Sequence, residues 1–442
     1  MRTIALIAAL VAAAPLDCEA QSKSPTLIVH EWGTFTSFQD ANGATISGIN
    51  VDDEPVPKFV HRLNQFPVFT TRSIPALWSQ GAPRCHPDVT LRLETPVLYF
   101  YPQGEFSAPL DVRASFVGGW LTEFYPFADA ENSGFPGTLS RDSRGSLQWK
   151  ALQLTANTEG LPSTTEHVWL APRAVHSAVV TAGGSGEAEK YLFYRGVGHI
   201  DAPLTVREKG NSLIINRHSV LKQFPHLWVV RVQPDGRVRY RRMPAGEQGA
   251  VEFPIPADSS SPSNREDLYI ELADALVKEG LYREEALAML ETWELSYFES
   301  EGIRVMFILP RAWTDAQLPL SISVPADITR VMMGRIELVS PHQRAKLRRL
   351  QELPATAFNL VPLYTESRTA LRGINAGISH ADLYRSVGRE VPEALQLYDQ
   401  LGRFRDALLV HEWNSTRDEG VRARIKLVME KFSACTAERA AR

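Results

Sequence analysis

Cysteine is scarce in this 442-residue chain. The three present, Cys18, Cys85 and Cys435, include no C-x-x-C pair, so neither a zinc knuckle nor a dithiol redox motif is expected, and a dense disulfide framework is excluded. In an exported protein Cys85 and Cys435 can still pair. An excess of one charge is also missing. Lysine plus arginine number 47 against 51 aspartate plus glutamate, a net charge of -4, so no global basic field exists to hold nucleic acid or an anionic membrane surface. The familiar catalytic signatures are absent: no G-x-S-x-G elbow, no P-loop, and no G-x-G-x-x-G after a strand. There is no H-E-x-x-H, because His30-Glu31 is followed by Trp32-Gly33-Thr34. No nucleotide cofactor is expected.

Long apolar runs are missing as well. The run IALIAALVAAA follows the basic start Met1-Arg2-Thr3, is too short to span a bilayer comfortably, and leads through Cys18-Glu19-Ala20 to Gln21. This is the pattern of a secretory signal over 1-20, cleaved near Ala20/Gln21. It implies a periplasmic or extracellular protein with no integral membrane segment after signal removal. Pro15-Leu16-Asp17 lacks the small residue that usually precedes a lipidated cysteine, which argues against an anchor at Cys18.

What is present reads as α+β. The length suggests two or three domains. From 21 to 256, short β-type runs alternate with Gly, Pro, Asn and Asp: Leu27 to Phe38, Val89 to Tyr101, Leu110 to Val117, His167 to Leu170, Tyr191 to Tyr194, Ser212 to Asn216 and Leu227 to Val232. The last leads through Pro234-Asp235-Gly236 into Arg237 to Tyr240, a hairpin signal. A large antiparallel, sandwich-like β-rich domain is predicted here. After a serine-rich linker, 257-340 reads as a helical hairpin, closed at Gly280 and resumed at Arg283, with strands that complete or join the sheet. The region 341-442 reads as a helical C-terminal tail, with helices near 342-353, 381-388, 391-412 (with a break at Gly402) and 417-434.

The least ordinary feature is a histidine followed two residues later by tryptophan. It occurs at His30/Trp32, His167/Trp169, His226/Trp228 and His411/Trp413, using four of 11 histidines and four of nine tryptophans. In a strand, residues i and i+2 share a face, so each pair sets an imidazole beside an indole. If His30, His167 and His226 converge, they make a three-imidazole metal site for zinc or copper, with the indoles excluding water. The competing reading is that each pair fills core space, with a hydrogen bond at one end. The fourth pair lies in a helical pattern, so the second VHEW at 410-413 is a coincidence.

Around Glu31 both strand faces are apolar, so the strand is covered on both sides and sends His30 and Glu31 opposite ways unless Gly33 marks a bulge. A carboxylate so placed needs a cation, and Arg195 or Arg173 are candidates. Glu94 has Arg92 two residues earlier on its own face, which favours a structural ion pair. Its functional reading is a general acid or base, and Glu31 with Glu94 is a candidate hydrolytic pair. Cys85-His86 lies in a proline-bounded loop, and His199 is a further loop histidine. In the second hairpin helix Glu285, Met289 and Trp293 follow i, i+4, i+8 spacing, which offers an inward carboxylate beside an aromatic, against the simpler reading of a solvated helix face for most glutamates of the hairpin. Arg311 and Asp315 follow a strand end, where ligand contacts often sit.

The stretch His30-Glu31-Trp32-Gly33-Thr34-Phe35-Thr36-Ser37, with Glu94-Thr95-Pro96-Val97-Leu98-Tyr99-Phe100-Tyr101 and Phe193-Tyr194-Arg195-Gly196, resembles a family of exported bacterial proteins marked by an HEWGTFTS-type N-terminal motif. The runs Glu279 to Tyr282 and Leu309-Pro310-Arg311 are similar too, so the likeness extends to about residue 340. It implies a bacterial envelope or secreted setting and carries no reaction, cofactor or catalytic residue.

The leading expectation is therefore an exported metal-dependent hydrolase. His30, His167 and His226 would hold zinc or copper, Glu31 or Glu94 would act as base, and Arg195 would stabilise negative charge. A non-catalytic envelope binding or scaffolding protein, with tryptophans packing a core or stacking on a glycan, stands beside it. A copper redox protein is third. Substrate or envelope ligand and oligomeric state are not set by the sequence.

Overall fold

The computed structural model describes residues 27–442 apart from 52–54, 64–77, 223–224, 244, 247–248, 258–263, 359–383, 387, 434 and 436–442. The expected signal segment with Cys18 lies outside the described residues, as does part of the helix expected at 381-388.

The strand Leu27–Gln39 organises the fold. All but one of its 13 residues are buried, as alternating apolar side chains on both faces require. It occupies the middle of a nine-stranded sheet in the order Val238–Met243, Leu227–Val232, Gly302–Ile308, Asp327–Leu338, Leu27–Gln39, Leu91–Pro102, Leu192–Gly198, Gly119–Tyr125, His61–Arg62. Leu91–Pro102 runs antiparallel to the central strand and Asp327–Leu338 runs parallel to it. The sheet is therefore mixed, not purely antiparallel. Parallel neighbours need a crossover, and residues 40–326 intervene. The fold is α+β, dominated by strands, with helices mainly in the C-terminal part.

One face of this sheet packs on a six-stranded sheet that includes Leu110–Val117 and Arg144–Thr155. Val29, Phe35, Leu93, Phe116 and Trp149 meet between the layers. The opposite face is covered by the helices Arg265–Lys278 and Arg283–Thr292, around Trp32, Trp169, Trp228, Met289 and Trp293. Gly280, at φ 113°, turns the chain between these two helices. A third core joins Phe38, Trp120 and Val197 of the sheet to the helices Pro341–Glu352, Glu393–Asp399, Arg405–Ser415 and Glu419–Phe432. Among the described residues no helix is long and apolar enough to cross a membrane.

His167 to Leu170, expected as a strand, opens the helix His167–Ala174. Its buried residues Val168, Trp169, Ala171 and Pro172 follow helical spacing, so the β preference of Val and Trp yields to periodicity. Cys85 and Cys435 form a disulfide, with Cα atoms 5.7 Å apart across 350 residues of chain. Closing a loop this long removes on the order of 5 kcal/mol of chain entropy from the unfolded state.

Candidate functional site

The HEWGTFTS segment sits at the centre of the sheet, and its polar side chains leave it in two directions. His30 and Glu31 point to opposite faces, as strand alternation requires. The pairing with Leu91–Pro102 shifts register between Trp32 and Thr34, a bulge centred on Gly33. A Cβ at Gly33 would lie 3.0 Å from the Cα of Pro96, so only glycine lets the two backbones approach this closely.

On the helical face, His30 Nδ1 donates to Glu285 Oε2 at 2.7 Å. The same carboxylate accepts from the Tyr101 hydroxyl at 2.9 Å and from the Tyr282 backbone N–H at 2.6 Å. Glu285 is wholly buried, with Met289 and Trp293 on its side of the helix. The ring of Tyr282 covers His30 at 4.5 Å between centroids, and that of Tyr101 lies at 5.3 Å. Burial, and then the adjacent Glu285, push the Tyr101 phenol far above its ordinary range, so it serves as a donor. Further along, Thr34 Oγ1 and Tyr297 Oη share a hydrogen bond at 2.6 Å, and Thr36 Oγ1 donates to Glu94 Oε2 at 2.9 Å.

Glu94 is the centre of a second cluster. Arg92 Nε lies 3.1 Å from Oε1, Arg403 Nη2 3.0 Å from Oε1, and Arg335 Nη2 3.0 Å from Oε2. Three guanidiniums and a hydroxyl occupy its acceptor positions, leaving none for a substrate proton. Glu337 extends the network, accepting from Arg304 Nε at 3.2 Å with Arg335 Nε at 3.4 Å. Arg335 Nη1 finds no acceptor among the described residues. Burial pushes the Arg403 guanidinium down to about 9.

On the sheet face, Glu31 accepts from Arg330 Nε and from the Tyr194 hydroxyl. Arg330 is its in-register neighbour on the parallel strand and also reaches Asp315 at 2.8 Å, which Arg311 holds in turn at 2.8 Å. Desolvation opposes the charge on Arg330, but Glu31 and Tyr194 outweigh it and raise its affinity for the proton.

Several expectations change here. Arg195 does not serve Glu31. It alternates with Tyr194 along one strand, so it faces the other way and pairs with Glu123, its cross-strand neighbour, which also binds Arg62. Arg173 pairs with Glu189. Glu31 and Glu94 lie on opposite faces of the sheet and cannot act as one hydrolytic pair. The three-imidazole site is not assembled either. His167, exposed at a helix start, donates from Nε2 to the Glu291 carbonyl at 2.8 Å. His226, half-buried before its strand, accepts from Arg242 Nη2 at 3.4 Å. Burial and then Arg242 push its imidazole down. Among the described residues, no trio of His, Cys, Asp or Glu that includes one of these histidines brings its ligand atoms within 4.8 Å of one another.

The tryptophans of the pattern do converge. Trp32, Trp169 and Trp228 are wholly buried in one core. At about 200 Å² of ring surface and about 25 cal/mol per Å², each contributes about 5 kcal/mol. Trp169 Nε1 donates to Glu189 at 2.7 Å and Trp228 Nε1 to Glu271 at 3.2 Å.

No family model and no curated protein matches the chain. Among solved structures it is similar to the mu homology domain of Danio rerio Fcho1 with bound Eps15 peptide, at 8% identity and a TM-score of 0.27, over 72% of this chain and 96% of that one. It is also similar to the yeast delta-COP-I mu-homology domain complexed with a Dsl1 WxWxV peptide, at 10% identity and a TM-score of 0.27, over 71% and 98%. Likenesses of this size carry no argument.

Arg330, Arg335, Arg403, Tyr297 and Glu123 were missed in the sequence. Arg330, Arg335 and Glu123 left a local signal, each as a charged residue within an apolar strand pattern.

Proposed function

We propose that this chain is a non-catalytic scaffolding or binding protein of the exported class, and that the HEWGTFTS segment is its structural hub. One observation carries the reading. His30, Glu31, Thr34 and Thr36 are each held by a partner from a different segment, namely Glu285, Arg330, Tyr297 and Glu94. Side chains committed in this way, with burial on both faces, are a means of tying layers together. Trp32, Trp169 and Trp228 are wholly buried and offer no face to a sugar, which counts against the glycan-stacking form of the idea. A partner would instead meet exposed apolar side chains such as Ile270 and Val277, seven residues apart on one helix face, and Leu295.

The test is metal content and stability measured together. Purified, oxidised protein is expected to hold no stoichiometric zinc or copper. His30→Ala is expected to lower stability, while His167→Ala and His226→Ala leave it nearly unchanged. One equivalent of metal, released by any of these three changes, would overturn the reading in favour of a metal enzyme.

A further inference from the structure

The disulfide has an unusual companion. Asp406 opens the helix Arg405–Ser415 and is only 8% exposed. Its carboxylate lies in the core that holds Cys85 and Cys435, and one oxygen of Asp406 and both sulfurs fall within 4.8 Å of one another. A neutral disulfide gives a carboxylate no partner. The hydroxyl of Tyr398 donates to Asp406 Oδ1, and a carboxylate that accepts one hydrogen bond keeps lone pairs for a cation. Arg405 lies over the Tyr398 ring at 4.8 Å.

We propose that reduction of the Cys85–Cys435 bond converts this cluster into a buried site for a thiophilic divalent cation of the zinc class, with Cys85, Cys435 and Asp406 as ligands. Two thiolates and a carboxylate are donors that zinc accepts, with water completing a tetrahedron. Tyr398 supplies the outer hydrogen bond that orients a ligating carboxylate. Arg405 offsets the charge of Asp406, but two thiolates formed beside that carboxylate in an apolar core repel it and one another, so the site favours the metal-bound over the empty dithiolate form. At zinc–sulfur bonds of about 2.3 Å the sulfurs stand about 3.8 Å apart, a separation that side-chain rotation reaches from Cα atoms 5.7 Å apart.

The chemistry balances with a phosphine as reductant. Phosphine, water and disulfide give phosphine oxide and two thiols, the oxygen passing to phosphorus and both protons to sulfur. The cation then displaces those two protons as its bonds to sulfur form. The ligands lie 350 residues apart, which is why no spacing motif announces them.

The experiment uses the full chain carrying Cys18→Ser, so that Cys85 and Cys435 are its only cysteines. Oxidised and phosphine-reduced samples are titrated anaerobically with Zn(II) and read by native mass spectrometry. Co(II) serves as an optical probe for thiolate-to-metal absorption. One equivalent bound to the reduced form and none to the oxidised form is expected. Asp406→Asn is expected to weaken binding at least tenfold while still forming the disulfide on reoxidation, which shows that it folds. The proposal is overturned if the reduced, folded protein takes up no Zn(II), if Asp406→Asn binds as tightly as the parent, or if the reduced protein loses its native circular dichroism and Zn(II) does not restore it.

Discussion

The two faces of the central strand neutralise their polar residues by different routes. On the sheet face, Glu31 is met by Arg330, directly across the parallel ladder, and by Tyr194. On the helical face, His30 and Thr34 are met by Glu285 and Tyr297 from the hairpin region, and the Glu94 cluster by Arg403 from the C-terminal helical region. Strand register therefore fixes the Arg330 contact, whereas helix docking supplies Glu285, Tyr297 and Arg403, the last beside the strand-borne Arg92 and Arg335. Disturbing the first should loosen the sheet as a whole. Disturbing the second should loosen the layer that supplies the partner.

The largest effect is expected from Glu31→Gln, which leaves Arg330 buried without its main counter-charge. A loss of about 3–5 kcal/mol in urea unfolding, with one cooperative transition, is the expected outcome. Glu94→Gln should cost a similar amount but act locally, speeding proteolytic cleavage within 341-442 before the sheet opens. If both variants unfold in the same single step, the contrast between the faces is broken. Reduction of the disulfide in metal-free buffer should cost about 2–5 kcal/mol, again exposing the C-terminal helices first by hydrogen exchange.

A smaller effect separates His30 from its neighbours. His30→Ala and Glu285→Gln, combined in a double-mutant cycle, should show a coupling of about 1–3 kcal/mol. A coupling near zero would reduce the His30 contact to mere packing. On the acid–base side, Tyr99, Tyr191 and Tyr194 are all pushed well above the ordinary phenol range, in each case first by burial. Their folded pKa values exceed the unfolded value, so their contribution is complete below about pH 10 and is lost as pH rises further. Arg403, pushed down to about 9, has the opposite sign and regains stability over that range. Arg304 is lowered too, but these three tyrosines and Tyr101 outnumber the two arginines and leave a net loss. The unfolding midpoint should fall above pH 10, with these tyrosines ionising at 295 nm only as the chain unfolds. The smallest effects belong to His167→Ala and His226→Ala, each within about 0.5 kcal/mol.

Much of the architecture was legible. Leu110 to Val117 and Leu227 to Val232 form strands, as their β-type runs between turn residues predict, the hairpin after Val232 appears, and of the two readings of Glu285 the inward one holds. Local pattern governs such features because each depends on which face of one element is apolar. The histidine triad was not legible in this way. His167 begins a helix and His226 precedes its strand, so a shared spacing in the sequence does not become a shared facing in space.

The chain's own order of residues determined which segments become strands and helices, that the Leu27–Gln39 strand is covered on both sides, and that a bulge is permitted at Gly33. Only the tertiary structure decided that Arg330, not Arg195, neutralises Glu31, that Glu94 gathers arginines from positions 92, 335 and 403, and that Asp406 stands beside a disulfide closed across 350 residues. The physical reason is range. Side-chain periodicity acts over a few residues, whereas a buried charge is neutralised by whatever the packed layers bring within about 3 Å of it, however distant in the chain.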